Sequence, residues 1–294
     1  MDWARFDQEA ERLRLLNLLV WKDGKEVLRR DYDGEIRRNQ YSVTKSFTSI
    51  AVGIAEGEGL LSLGEPLLEA FPEEAPENPC PNLQKATVRD LLTMCLGQGQ
   101  GFLMGEQRPF LPERDWVRYS LALPFPYAPG EKFVYNNVGP YLAGILVQRR
   151  AGCDLVSYLT PRLFAPLGIQ RPTWETDPLG YNFGAGGLFL TVSELTRVGQ
   201  LLLQQGRWNG KQLIPAAYVQ AASAKQVENG AEGYGYLFWR GKDNSYRADG
   251  KYGQFAVIFP EEGVVLGANA ESRAQGELLD LLDRERKALL AAGN

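Results

Sequence analysis

The chain has 294 residues, 44% of them hydrophobic and 23% charged, with a net charge of −4 and no histidine. That composition is ordinary for a soluble globular protein. The mildly negative charge argues against an electrostatic partnership with nucleic acid or an anionic membrane. Three cysteines, Cys80, Cys95 and Cys153, stand at no metal-ligand spacing, and without histidine or a Cys-x-x-Cys pair no zinc site is expected. No apolar run approaches the roughly 20 residues of a membrane span. The opening Met1–Arg5 is charged and amphipathic, without the apolar core of a signal peptide. The expectation is a cytoplasmic protein with idle thiols.

Residues 2–14 have the pattern of a short amphipathic helix. Leu15 to Trp21 is apolar and strand-like, Lys22-Asp23-Gly24-Lys25 is a hairpin turn by its Asp-Gly signal, and Glu26 to Arg30 is the return strand. From Ser42 to Glu58 apolar residues recur at three and four, which predicts a helix ended by Gly57 and Gly59. Leu60 to Pro81 reads as irregular. Thr87 is an N-cap for Val88–Leu92, and glycine and proline dominate 97–130. Asn137 to Arg150 is helical again. Thr191-Val192-Ser193-Glu194 is a capping box for a helix running to about Gln205. Tyr234 to Arg240, Gln254 to Phe259 and Val264 to Ala268 are short, aromatic or β-branched, and read as antiparallel strands. Arg273 to Ala292 closes the chain as a helix. Strands at both ends and helices between predict an α+β fold. One sheet domain is built from 1–60 and 206–294, a mainly helical insertion spans 61–205, and the active site lies at their interface.

The chemistry starts from Ser42-Val43-Thr44-Lys45. On a helix a three-residue spacing puts both side chains on one face. Without any imidazole in the chain, a nucleophilic serine must be activated by an amine or a phenol. Alone, the pair is equally well an N-cap serine and a solvated lysine. Pro129-Gly130-Glu131-Lys132-Phe133-Val134-Tyr135-Asn136-Asn137 then sets a Tyr and an Asn two apart at the mouth of a helix. Asp249-Gly250-Lys251-Tyr252-Gly253-Gln254 stands immediately before a strand. Read singly, these are a core tyrosine with a capping asparagine and a hairpin turn with an exposed lysine.

In this order the three segments resemble the serine β-lactamase and penicillin-binding-protein superfamily, closest to its class C β-lactamase branch. That branch includes carboxylesterases, D-aminopeptidases and 6-aminohexanoate-dimer hydrolases. TVRDLL (87–92), PGEKFVYNN (129–137) and GGLFLTVSEL (186–195) are similar to its connecting segments, and the likeness runs from about residue 15 to 290. The resemblance implies a β-lactamase/transpeptidase-like α/β sandwich and a serine hydrolase with no cofactor and no metal. Its substrate is a small ester or amide, cleaved through an acyl-enzyme on Ser42.

Lys45 and Tyr135 are then expected to move the proton as one unit with Ser42. Lys45 and Lys251 supply cations near the phenol, and Asn137 bonds substrate or Lys45. The backbone N–H groups of Ser42 and Gln254 form the oxyanion hole. Lys251-Tyr252-Gly253 departs from the family's Lys-Thr-Gly. Tyr252 is expected to crowd the place where a β-lactamase grips the substrate carboxylate, which favours an esterase or amidase over a true β-lactamase. A β-lactamase or D-aminopeptidase activity, and a non-catalytic penicillin-fold sensor, are the competing expectations. Trp116, Tyr127, Tyr181, Phe183 and Trp239 are candidates to line the pocket.

Overall fold

The structure, a computed structural model, describes residues 3–292. Asp2, the first residue of the expected opening helix, lies outside them. Strands β1 (Leu15–Lys22) and β2 (Lys25–Asp31) form the predicted hairpin. Four strands come from the far end of the chain: β3 (Trp239–Arg240), β4 (Tyr246–Gly250), β5 (Gln254–Phe259) and β6 (Val264–Ala270). They join the hairpin in one six-stranded sheet of order β2-β1-β6-β5-β4-β3. Every pairing is antiparallel, and β1 meets β6 from Leu15↔Ala270 to Lys22↔Val264. The two chain ends therefore share one sheet, and the fold is the α+β sandwich expected.

Both faces of the sheet are covered, and the period-2 alternation of side chains assigns each residue to a layer. On β5, Phe255, Val257 and Phe259 face an outer core, while Ala256 and Ile258 face the larger inner one. The outer core is closed by α1 (Trp3–Arg12) and by the last helix of the chain, through Phe6, Ala10, Leu278, Leu281 and Leu282.

The inner layer is built around α2 (Val43–Gly57). Its residues from Val43 to Ala55 are all buried, and polar ones among them bond inward, Ser46 Oγ to the Leu237 carbonyl and Thr48 Oγ1 to the Gly184 carbonyl, both at 2.7 Å. Helix α3 (Val138–Ala151) packs against it, and α4 (Val192–Leu203) lies on the sheet. Helix α4 has the predicted capping box, with Thr191 Oγ1 accepting from the Glu194 N–H and Glu194 accepting from the Thr191 N–H. It lies against β6, where a Cβ on Gly199 would stand 2.6 Å from Val265 Cγ1. That helix falls on the sheet side of the boundary expected at 205. The closing helix is α5 (Gln275–Ala292), two residues shorter at its start than predicted.

Two strand expectations need correction. Of Tyr234–Arg240 only the last two residues are strand, because Leu237 takes φ +61° and turns the chain into the inner core. Strand β4, which carries no run of apolar residues, was not foreseen. Among the described residues, no helix is long and apolar enough to cross a membrane.

Candidate active site

The chain enters α2 under strain. Tyr41 adopts φ +46°, and its N–H is held by Asn39 Oδ1 at 2.8 Å. A left-handed non-glycine residue beside a reactive group is a common store of strain at functional sites. Ser42 follows at φ −73°, ψ −9°, already helical, and its side chain makes no cap hydrogen bond. A capping serine sits in the extended region and spends its oxygen on the helix N–H groups. Ser42 does neither, so its Oγ is free to face the next turn. There the Lys45 Nζ lies 2.8 Å from Ser42 Oγ and 2.8 Å from the Ala185 carbonyl oxygen. Lys45 is 2% exposed. Burial, reinforced by the Arg108 guanidinium, brings its pKa down from 10.5 to about 7.

Tyr135 leaves the Pro129–Gly130 turn and stacks on Trp239, ring centroids 5.7 Å apart at 27°. Lys45 Nζ stands 5.1 Å from its ring centre. Burial pushes the phenol well above 10. A hydrogen bond with Ser42 opposes this, and the nearby Asp249 carboxylate adds to it. Tyr135 is therefore protonated at neutral pH.

The expected second cation is missing from this group. Lys251 is exposed on the turn between β4 and β5, with Nζ 5.0 Å from the Tyr252 ring centre. The strand register explains it. Gly250 pairs with Gln254, so 251–253 form the turn, with Tyr252 at φ +68° and Gly253 at φ +93°. Of this strand, Asp249 is the side chain whose charge reaches the phenol. Asp249 is bonded to Arg247 at 2.8 Å, and burial raises its pKa.

Asn137 lines the cavity but does not bond Lys45. Its Nδ2 donates to the Leu103 carbonyl at 2.8 Å, and its Oδ1 is buried without a partner. The cap of α3 comes from Asn136 instead, whose Oδ1 accepts from the Val138 N–H at 2.9 Å.

Ser42, Tyr135 and Asn137 converge on a cavity of about 610 Å³ that Asp249, Lys251 and Tyr252 also line. Gly253 and Gln254 do not line it. Gly253 packs toward α5, and the Gln254 amide is turned inward to the Ala270 carbonyl at 2.6 Å. Tyr252 packs edge-on against Tyr41 at 5.3 Å and forms a wall. Of the five candidate aromatics, Phe183 and Trp239 line the cavity; Trp116, Tyr127 and Tyr181 do not.

Four charged lining residues were not foreseen: Glu106, Arg108, Glu175 and Asp249. Arg108 stands in the glycine- and proline-rich stretch, where no periodic pattern marks a side chain for a pocket. Alternation along β4 was the available signal for Asp249.

The fold is that of a β-lactamase or penicillin-binding protein. The sequence model of the Beta-lactamase family matches residues 5–290, and the chain belongs to that family. It is 30% identical over 153 residues to the monacolin J acid methylbutanoyltransferase of Aspergillus terreus, covering 46% of this chain and 37% of that one. It is 29% identical over 94 residues to the 6-aminohexanoate-dimer hydrolase of Paenarthrobacter ureafaciens, covering 32% of this chain and 24% of that one. Matches to curated relatives span about half their length or less. The octameric penicillin-binding protein homologue from Pyrococcus abyssi superposes with a TM-score of 0.76 at 19% identity, over 93% of this chain and 74% of that one.

Proposed function

We propose that the chain is a serine hydrolase that cleaves an ester or amide of a small, soluble substrate through an acyl-enzyme on Ser42. The observation that carries this is the 2.8 Å contact between an uncapped Ser42 Oγ and a buried lysine brought down to about 7. An amine with that pKa is neutral in about half of the molecules near pH 7 and can act as a base. Lys45 takes the Ser42 proton as Oγ attacks the carbonyl carbon. The positive end of α2 favours the charge that develops there.

Tyr135, protonated and bonded to Ser42, delivers a proton to the departing alcohol or amine and recovers one from Lys45. Water then attacks the ester on Ser42 by the reverse route. The carbonyl oxygen is received by the Ser42 N–H and by the backbone at the end of β4. We assign that second donor to Lys251, which lines the cavity, in place of Gln254, which does not. The names of the two relatives, one a hydrolase and one an acyltransferase, fit chemistry at a carbonyl. We place the reaction in the cytoplasm.

A fluorophosphonate probe is expected to label Ser42 alone, as read by peptide mass spectrometry. Lys45→Ala and Tyr135→Phe are each expected to lower ester turnover by about 10²-fold or more. A wild-type protein that folds and stays unlabelled would sink the proposal, and would favour a non-catalytic sensor. Turnover of nitrocefin or of D-alanyl amides in preference to simple esters would move the assignment to a β-lactamase or D-aminopeptidase.

A further inference from the structure

Arg108 is a cationic residue of the cavity that the hydrolytic chemistry leaves unused. Its guanidinium carbon lies 4.2 Å from the ring centre of Phe183, a fully buried residue, so the cation rests on a fixed part of the wall. Its Nε is buried without a hydrogen-bond partner, and among the described residues Arg108 forms no ion pair. It is close enough to the reaction centre for its charge to be felt by Lys45. The neighbouring acids do not neutralise it by contact. Asp249 is engaged with Arg247, and Glu175 accepts from Asn39 Nδ2 at 3.4 Å. Glu106 also lines the cavity.

A half-buried guanidinium with free N–H edges is incomplete without an acceptor, since buried donors left unpaired are costly. The planar fork matches the two oxygens of a carboxylate. Three carboxylates on the same cavity disfavour a dianion such as a phosphate monoester. We propose that Arg108 receives a carboxylate of the substrate, so that the hydrolase acts on esters or amides that carry a negative charge beside the scissile bond. This rests on the serine-hydrolase reading above.

The test uses matched esters and a ratio, because losing Arg108 also alters Lys45. On the acyl side, the para-nitrophenyl monoester of glutaric acid is compared with para-nitrophenyl valerate. On the leaving side, meta-acetoxybenzoate is compared with phenyl acetate. Acylation is followed by the first-turnover burst, so slow deacylation does not hide it.

Wild type is expected to prefer the anionic member of at least one pair by about tenfold or more in kcat/KM, as for sites built around a polar partner. Arg108→Gln should bring that ratio to within about twofold of unity, and Arg108→Lys should leave an intermediate value. Free glutarate should also slow fluorophosphonate labelling of wild-type Ser42, a readout that needs no variant. Equal rates within both pairs, with Ser42 labelled normally, overturn the assignment of Arg108 and leave the hydrolase standing. A preference that survives Arg108→Gln and is lost in Lys251→Gln overturns it in favour of the rim lysine. Absence of both labelling and turnover overturns the hydrolase reading itself and this inference with it.

Discussion

Lys45 is held in a place that favours its neutral form, and this has two opposite consequences. For the proposed reaction, Lys45 can serve as base only where the amine has lost its proton. The acylation rate is therefore expected to rise with pH along a limb centred near 7, as read from burst rates between pH 5 and 9. Arg108→Gln removes a positive neighbour and should move that limb to higher pH.

For the fold, the sign follows from linkage. The folded pKa of about 7 lies below the ordinary 10.5, so between these values the unfolded chain binds more protons than the folded one. Stability gains from this group as pH rises through that window, and the full cost of burying the ammonium is felt below 7. Lys45→Met is expected to be inactive. Its melting temperature relative to wild type should be more favourable at pH 6 than at pH 10. An equal difference at both values would show that the buried amine does not titrate in this range.

At the scale of elements, the site is made by three chain segments that approach at backbone contact. Strand β4 ends against the entrance to α2, where a Cβ on Gly250 would stand 2.3 Å from the Gln40 carbonyl oxygen. Gly250→Ala must push that strand end away from Ser42. It is expected to lower kcat/KM by about tenfold or more while the protein still folds. Gly139 has the same role where α3 meets 88–92, since its Cβ would come to 2.4 Å from the Leu91 carbonyl oxygen. Gly139→Ala should cost about 1–3 kcal/mol in denaturant unfolding.

This scale also decides what could be read from the chain alone. Ser42, Lys45 and the helix that bears them were legible, because their spacing and the 3.6-residue period carry the same information. The capping box at Thr191 was legible for the same local reason. Which residues of 249–254 face the cavity was not. A turn of three residues between Gly250 and Gln254, with two left-handed conformations, sets the side of the sheet each one meets. The retained lysine does line the cavity, but at its rim on that turn, and the charge that acts on the Tyr135 phenol is the aspartate two residues before it. Arg108 had no local signature at all: its position depends on the path of a loop across Phe183.

For the whole molecule, the outer layer is pinned at the end of α5. Arg286 is 1% exposed and lies 3.9 Å over the Phe259 ring centre. It pairs with Glu262, with Asp283 at 2.6 Å and with Asp243 at 3.3 Å. These acids are partly exposed, so water shares the load. Arg286→Ala is expected to cost about 2–3 kcal/mol, at the low end for a broken buried pair, with Ser42 labelling retained. A loss of labelling at temperatures where the variant is folded would show that the outer layer communicates with the cavity.

The pairing of β1 with β6 has a consequence in time. During synthesis the N-terminal hairpin leaves the ribosome more than two hundred residues before its partner strand exists, since Leu15 pairs with Ala270. A two-stranded hairpin alone is at best marginal in water. The newborn chain must therefore wait, with Leu18 and Val20 short of their partner strand, until Ala270 has been made. A ribosome stalled short of residue 264 therefore holds a chain whose six-stranded sheet cannot close.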